Sequence, residues 1–243
     1  MKFKFIASTL AVISIILATG CTAKTLDTKD VKVIEKNNTE TIGENSSEEN
    51  GKNSTENKNS DLKEKEEVLK EDTEEYFQSI IGSRPTEVLT AIKNYDMVNF
   101  SKMVHPEKGV RFSPYAYVNE SKDLVFTADK IIVLDSDVTE YTWGDYDGSG
   151  EPIKLTFSDY YKRFIYDADF INAKEVGYNR TIGQGNTINN SFQFYQNSII
   201  IEYHFPGIDP KYEGMDWRSL RVVFEKYNNA WYVVGIIHDE WTI

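Results

Sequence analysis

The chain has 243 residues, with 27 Lys and Arg against 39 Asp and Glu, for a formal net charge of -12. That length, less a leader and a linker, leaves one domain large enough to bury its own core. The acidic balance excludes nucleic acid and anionic lipid heads as partners attracted by charge, and its first meaning is solubility.

The chain begins with Lys2 and Lys4 ahead of an apolar run from Phe5 to Leu17. This run is too short to cross a bilayer as a stable helix, and basic, apolar, then small residues is the order of a secretory signal over 1–20. Cys21 is the single cysteine of the sequence, so no disulfide competes for its thiolate. The stretch Leu17-Ala18-Thr19-Gly20-Cys21 resembles the lipobox of bacterial lipoprotein precursors. That resemblance implies cleavage before Cys21 and a diacylglyceryl group on its sulfur. The mature chain would then sit at the extracytoplasmic face of the cell membrane, more acidic for the loss of Lys2 and Lys4.

From 21 to 61 the sequence is mostly Asn, Glu, Lys, Ser and Thr, without an aromatic residue. Such a stretch buries too little apolar surface to offset chain entropy and is expected to be a disordered acidic tether. Forty such residues would have a root-mean-square reach of about 35 Å. Residues 62–82 are charged and rich in helix formers, and Val68, Leu69, Tyr76, Phe77, Ile80 and Ile81 form a stripe that strengthens toward the end. A helix is expected there, with its last turns docked on the domain that follows.

Residues 83–243 carry a different texture. Every Tyr and Trp lies at or beyond Tyr76, as does every Phe except Phe3 and Phe5, and such aromatic density marks a packed domain. Ser83, Pro85 and Glu87 suit a helix start, with Val88, Leu89, Ile92 and Tyr95 at helical spacing. Asp96 can cap a second short helix carrying Met97, Phe100, Met103 and Val104, stopped by His105-Pro106. A later helix is expected from Thr156 through Tyr161, Phe164 and Ile165. A hairpin is expected from Phe192–Tyr195 to Ile199–Phe205.

The final segments 219–227 and 230–238 read as two strands across an Asn228-Asn229 turn. Strict alternation then puts Leu220, Val222 and Phe224 on one face with Trp231, Val233 and Ile237. Arg221, Val223 and Glu225 share the other face with Tyr232, Val234, Ile236 and His238. Helices first and antiparallel strands afterwards is an α+β pattern.

Two short helices ending in Val104-His105-Pro106, a later helix, and a closing hairpin finishing in WYVVGIIHDEWTI resemble the NTF2-like (cystatin-like) domains of bacterial lipoproteins. The resemblance covers roughly residues 84–243. It implies a curved antiparallel sheet packed on N-terminal helices around a cone-shaped cavity. It implies no particular activity, because this fold hosts binding modules, oligomerisation domains and enzymes alike.

Several side-chain sets bear on chemistry. Asp145, Asp147, Ser149 and Glu151 alternate around Gly148 and Gly150 as in the first half of an EF-hand calcium loop. The twelfth position is Thr156 rather than Glu, and Pro152 interrupts the loop, so a plain Asp/Gly turn is the simpler reading. His105, at a helix end, would favour the helix dipole as an imidazolium. Glu202 with His204, and His238 with Asp239, would each pair an imidazole with a carboxylate as a general base. Zinc would need the three histidines to converge. Arg221, Tyr232, Trp217 and His238 are candidates for ligand contact.

The leading expectation is a membrane-anchored binding module for an envelope protein or a small ligand. The alternatives are an envelope hydrolase using a His/carboxylate pair and a calcium-dependent interaction module. Apart from calcium, no cofactor is expected.

Overall fold

The chain divides into residues 1–62 and 63–243, and the computed structural model describes residues 73–242. The expected signal, Cys21, the tether and the start of the charged helix lie outside the described residues. No helix among the described residues is long and apolar enough to cross a membrane.

Three helices come first: α1 (Glu74–Ile81), α2 (Arg84–Lys93) and α3 (Met97–Ser101). Each begins on a polar residue for a local reason. Thr73 and Asp96 accept hydrogen bonds from the backbone N–H groups of Tyr76 and Asn99, and Ser83 donates its hydroxyl to Glu87 at 2.6 Å. Each bond satisfies or orders a helix start that would otherwise be left open. The end of α1 docks as expected, since the indole N–H of Trp231 donates to the carbonyl of Ile80.

The remaining chain forms strands β1 (Val110–Ser113), β2 (Leu124–Phe126), β3 (Glu140–Asp145), β4 (Pro152–Thr156), β5 (Glu175–Tyr178), β6 (Ile199–Phe205), β7 (Arg218–Tyr227) and β8 (Ala230–Glu240). Helix α4 (Ala128–Val133) follows β2, and α5 (Phe157–Phe164) follows β4. The six-stranded sheet has the order β2-β1-β8-β7-β6-β5, while β3 and β4 form a separate hairpin. All neighbours in the large sheet are antiparallel except β1 and β8, which run parallel. The α+β architecture expected from the element order is therefore present, with one parallel pair added.

One sheet face packs against the helices. Val88, Leu89 and Ile92 of α2, Phe157, Tyr160 and Phe164 of α5, and Trp143 of β3 are buried with Leu220, Val222 and Phe224 of β7. Trp143 stacks on Tyr160 with ring centroids 3.8 Å apart. Aromatic rings thus fill much of the space between sheet and helices.

The opposite face buries a smaller group, Ile200, Val223, Val234 and Ile237, under Val118 and Tyr195. Residues 191–194 are not a strand but a short helix, α6 (Ser191–Phe194), and β6 pairs instead with β5 and β7. The alternating Phe192 and Phe194 mimic a strand because an aromatic pair two residues apart has no period of its own.

Candidate functional site

The Asn228-Asn229 turn is as expected, with φ of 46° and 65°, and it sets Tyr227 opposite Ala230. The register does not hold to the end. Phe224 pairs with Val233 and Val223 with Gly235, so Val234 is an extra residue on β8. One added residue reverses the alternation beyond it. Ile236 and His238 therefore join the helix-facing side with Leu220 and Val222, and Ile237 goes to the far side with Arg221 and Val223. The expectation that Arg221 and His238 share a face is overturned by this bulge.

On the far face, Arg221 is fully buried and fully engaged. Its Nε donates to Glu202 at 3.0 Å, Nη1 to Asp239 at 2.9 Å, and Nη2 to the carbonyl of Gly183 at 3.0 Å. Glu202 also accepts the backbone N–H groups of Ile182 and Gly183 and the hydroxyl of Ser219. The Ser219 oxygen lies 2.8 Å from Nδ1 of His204. Ser219, His204 and Glu202 thus form a Ser/His/acid set. Ser219 directs its proton to Glu202, and all three are buried. Burial holds the His204 imidazole below its usual pKa and lifts the Asp239 carboxyl above its own. This network works as a clamp: strand side chains grip the backbone of residues 182–183 and hold that segment over the sheet.

Gly183 is the residue that permits the clamp. A Cβ there would fall 2.5 Å from the Ser219 hydroxyl oxygen and 2.9 Å from His204 Nδ1. The Gly183/Gly185 spacing was the available signal in the sequence for such a close approach. Trp217 lies under the same segment and is only 8% exposed, so it is covered rather than presented to a ligand.

On the helix side, His238 Nε2 lies 3.1 Å from Asp167, and Nδ1 lies 3.3 Å from the carbonyl of Pro114. Its carboxylate partner is Asp167, not the neighbouring Asp239. Arg218 pairs with both Asp167 and Glu240, and Arg163 grips Glu240 through two nitrogens. Burial raises the pKa of Asp167, but His238 and Arg218 outweigh it and hold the carboxyl below its ordinary value. Single donor atoms of Asp167, His238 and Glu240 lie within 4.8 Å of one another, the one such trio found among the described residues. Two guanidinium groups already occupy its carboxylates, so a metal ion would have to displace both.

The other candidates lie apart. His105 accepts the backbone N–H groups of Glu107 and Lys108 through Nδ1, and burial lowers its pKa. It therefore caps the following turn as a neutral ring instead of serving a helix end as a cation. Tyr232 sits near the rings of His105 and Tyr227. The three histidines do not converge.

Where Asp145, Asp147, Ser149 and Glu151 fall, the chain makes the β3–β4 turn, joining strand to strand. Asp145 pairs with Lys122, Asp147 accepts the Thr187 hydroxyl at 2.7 Å, and Ser149 accepts the N–H of Glu151. This turn forms one wall of an open cleft of about 190 Å³ whose lining includes Tyr115, Tyr117, Tyr146, Asp123, Asp145 and Asp147. Three separate stretches of chain contribute: the loop after β1, the β3–β4 tip, and Thr187. Tyr115 and Tyr146 both pack against Phe164, which ties two walls to the core. Tyr117 stands at the rim, 49% exposed. Asp123 is buried, bonded by the Ser113 hydroxyl at 2.5 Å and the Asn119 N–H at 2.8 Å, and burial pushes its carboxyl up to about 6. Tyr115, Tyr117 and Asp123 went unmarked in the sequence because only the fold brings them to the β3–β4 tip.

No family model matches the chain, and no curated protein matches it. Among solved structures, one match is a domain from Xanthomonas campestris described as a calcium/calmodulin dependent protein kinase II association domain. It is 10% identical, covers 71% of this chain and 91% of its own, and has a TM-score of 0.29. Another is a protein named Rd1NTF2_05, in a variant with five substitutions. It is 12% identical, covers 67% of this chain and 95% of its own, and has a TM-score of 0.26. Both likenesses concern the fold alone.

Proposed function

We propose that this protein is a lipid-anchored, extracytoplasmic module that binds a small ligand in the cleft between the β1 loop and the β3–β4 tip. One contrast carries the reading. The cleft is open and gathers aromatic and charged side chains from two stretches of chain, with Thr187 from a third, whereas His204 and His238 are buried and taken up by structural partners. A general base must reach its substrate's proton directly or through one water, and a fully buried His238 offers no such reach. The hydrolase alternative has the His238–Asp167 pair in its favour, but the ring that would act as base is inaccessible. A function in binding also agrees with the anchor that the Cys21 motif implies, because a tethered domain need only meet its ligand.

Two measurements test this reading. Growing a bacterial host that expresses the full chain on labelled palmitate should label the protein, and Cys21→Ser should abolish the label; equal labelling of both would remove the anchor. A screen of small solutes by melting temperature should find at least one that stabilises the protein, since a ligand of the native state alone must raise stability. That shift should vanish in Tyr117→Ala. A stabilising solute indifferent to Tyr117 would move the function away from the cleft.

A further inference from the structure

Resting on that reading, we propose that the cleft selects a small organic cation, an alkylammonium or quaternary ammonium group. Tyrosine ring faces are negative and attract cations lying within about 6 Å of the ring centre, and three tyrosines contribute to this wall. Three carboxylates accompany them, Asp123, Asp145 and Asp147, against the single amine of Lys122. Such a lining repels anions and gives a neutral sugar no use for the surplus charge.

The cation it suits is not a bare metal ion. A calcium site needs six to eight oxygens at 2.3–2.6 Å, yet no three donor atoms from the cleft's acids come within 4.8 Å of one another, a spacing met only by Asp167, His238 and Glu240 among the described residues. Carboxylates spread around aromatic walls fit a charge distributed over a larger group. The size agrees: about 190 Å³ lies below the roughly 300–1,000 Å³ of drug-sized pockets, so the ligand has few non-hydrogen atoms. The cleft already holds one ammonium, because Lys122 Nζ is paired with Asp145. An incoming amine would take over that carboxylate, and the Lys122 side chain, 53% exposed, is free to swing into solvent.

Calorimetric titration of the full chain with choline chloride tests this, with glucose and calcium chloride titrated separately. Choline should bind with a stoichiometry of one, and Tyr117→Ala should weaken it about five- to tenfold, the loss of one cation–ring contact. Lys122→Gln, which frees Asp145, should strengthen choline binding severalfold; a purely structural Lys122 would not do so. Glucose binding at the cleft with choline silent would overturn the cation inference and leave the binding-module reading standing. Calcium binding that Asp147→Asn abolishes would overturn it in favour of a metal. Silence with all three probes would overturn it too, leaving the solute screen to judge the broader reading.

Discussion

Arg221 and His238 sit on adjacent strands, one rung out of line, and project from opposite faces of the sheet because Val234 is an extra residue between them and the turn. That single insertion sends His238 to Asp167 among the helices and Arg221 to the clamp over residues 182–183. It separates the two groups whose proximity would have suggested an anion-binding or catalytic pair.

Arg221→Met should be among the most damaging substitutions in the domain. It strands Glu202 and Asp239, both nearly inaccessible, as buried carboxylates without their counter-charge. Breaking one side of a buried pair costs about 3–5 kcal/mol, which urea unfolding would register. A loss below about 1 kcal/mol would mean that water reaches the two acids.

Gly183→Ala tests the clamp without removing a charge. The new methyl group meets the Ser219 hydroxyl and His204 ring, so the segment must lift. The N–H groups of Ile182 and Gly183, now held by Glu202, should exchange with solvent much faster, while those of α2 stay protected. Unchanged exchange at 182 and 183 would contradict the close approach.

Asp123 makes stability depend on pH in a definite direction. Burial raises its carboxyl to about 6, against about 3.9 in an unfolded chain. The folded state therefore holds the proton more tightly. Its contribution is fully present below about pH 4 and is lost as pH rises through about 6, a change on the order of 3 kcal/mol. Asp123→Asn keeps an acceptor for Ser113 and Asn119 and removes that loss. The variant should be more stable than the parent at pH 7.5 and match it near pH 4. It should also bind choline more weakly. Superimposable stability profiles would contradict the buried, raised carboxyl.

Trp143→Ala should link core to cleft. Trp143 is fully buried, stacked on Tyr160, and donates to the carbonyl of Leu155 across the hairpin. Its loss should cost about 3–5 kcal/mol. It should also loosen the β3–β4 tip that carries Asp145, Tyr146 and Asp147. Choline affinity retained in full would show that the tip holds its position without the ring.

Much of the fold was legible in the sequence, and the failures have physical causes. The cap at Asp96, the helix start at Thr156, the stripe of α2 and the Asn228-Asn229 turn were readable because each is a local rule obeyed locally. The bulge at Val234 was not, since nothing in an aliphatic run marks which residue is left unpaired. The pairing of β1 with β8 was hidden for a different reason: parallel partners 124 residues apart leave no local trace. Of the site, the sequence showed the Asp145–Glu151 segment as an Asp/Gly turn, with calcium as the alternative, but not what it would stand beside. Tyr115 and Asp123 become its neighbours only once the sheet has formed.

If function resides in the tyrosine- and aspartate-lined cleft, away from the buried histidines, a crystal structure of the protein grown with choline will show it. An ammonium group should be enclosed by Tyr115, Tyr117 and Tyr146, with Lys122 turned out to solvent. Choline bound beside Asp167, His238 and Glu240 instead, with the cleft unchanged, would place the function elsewhere.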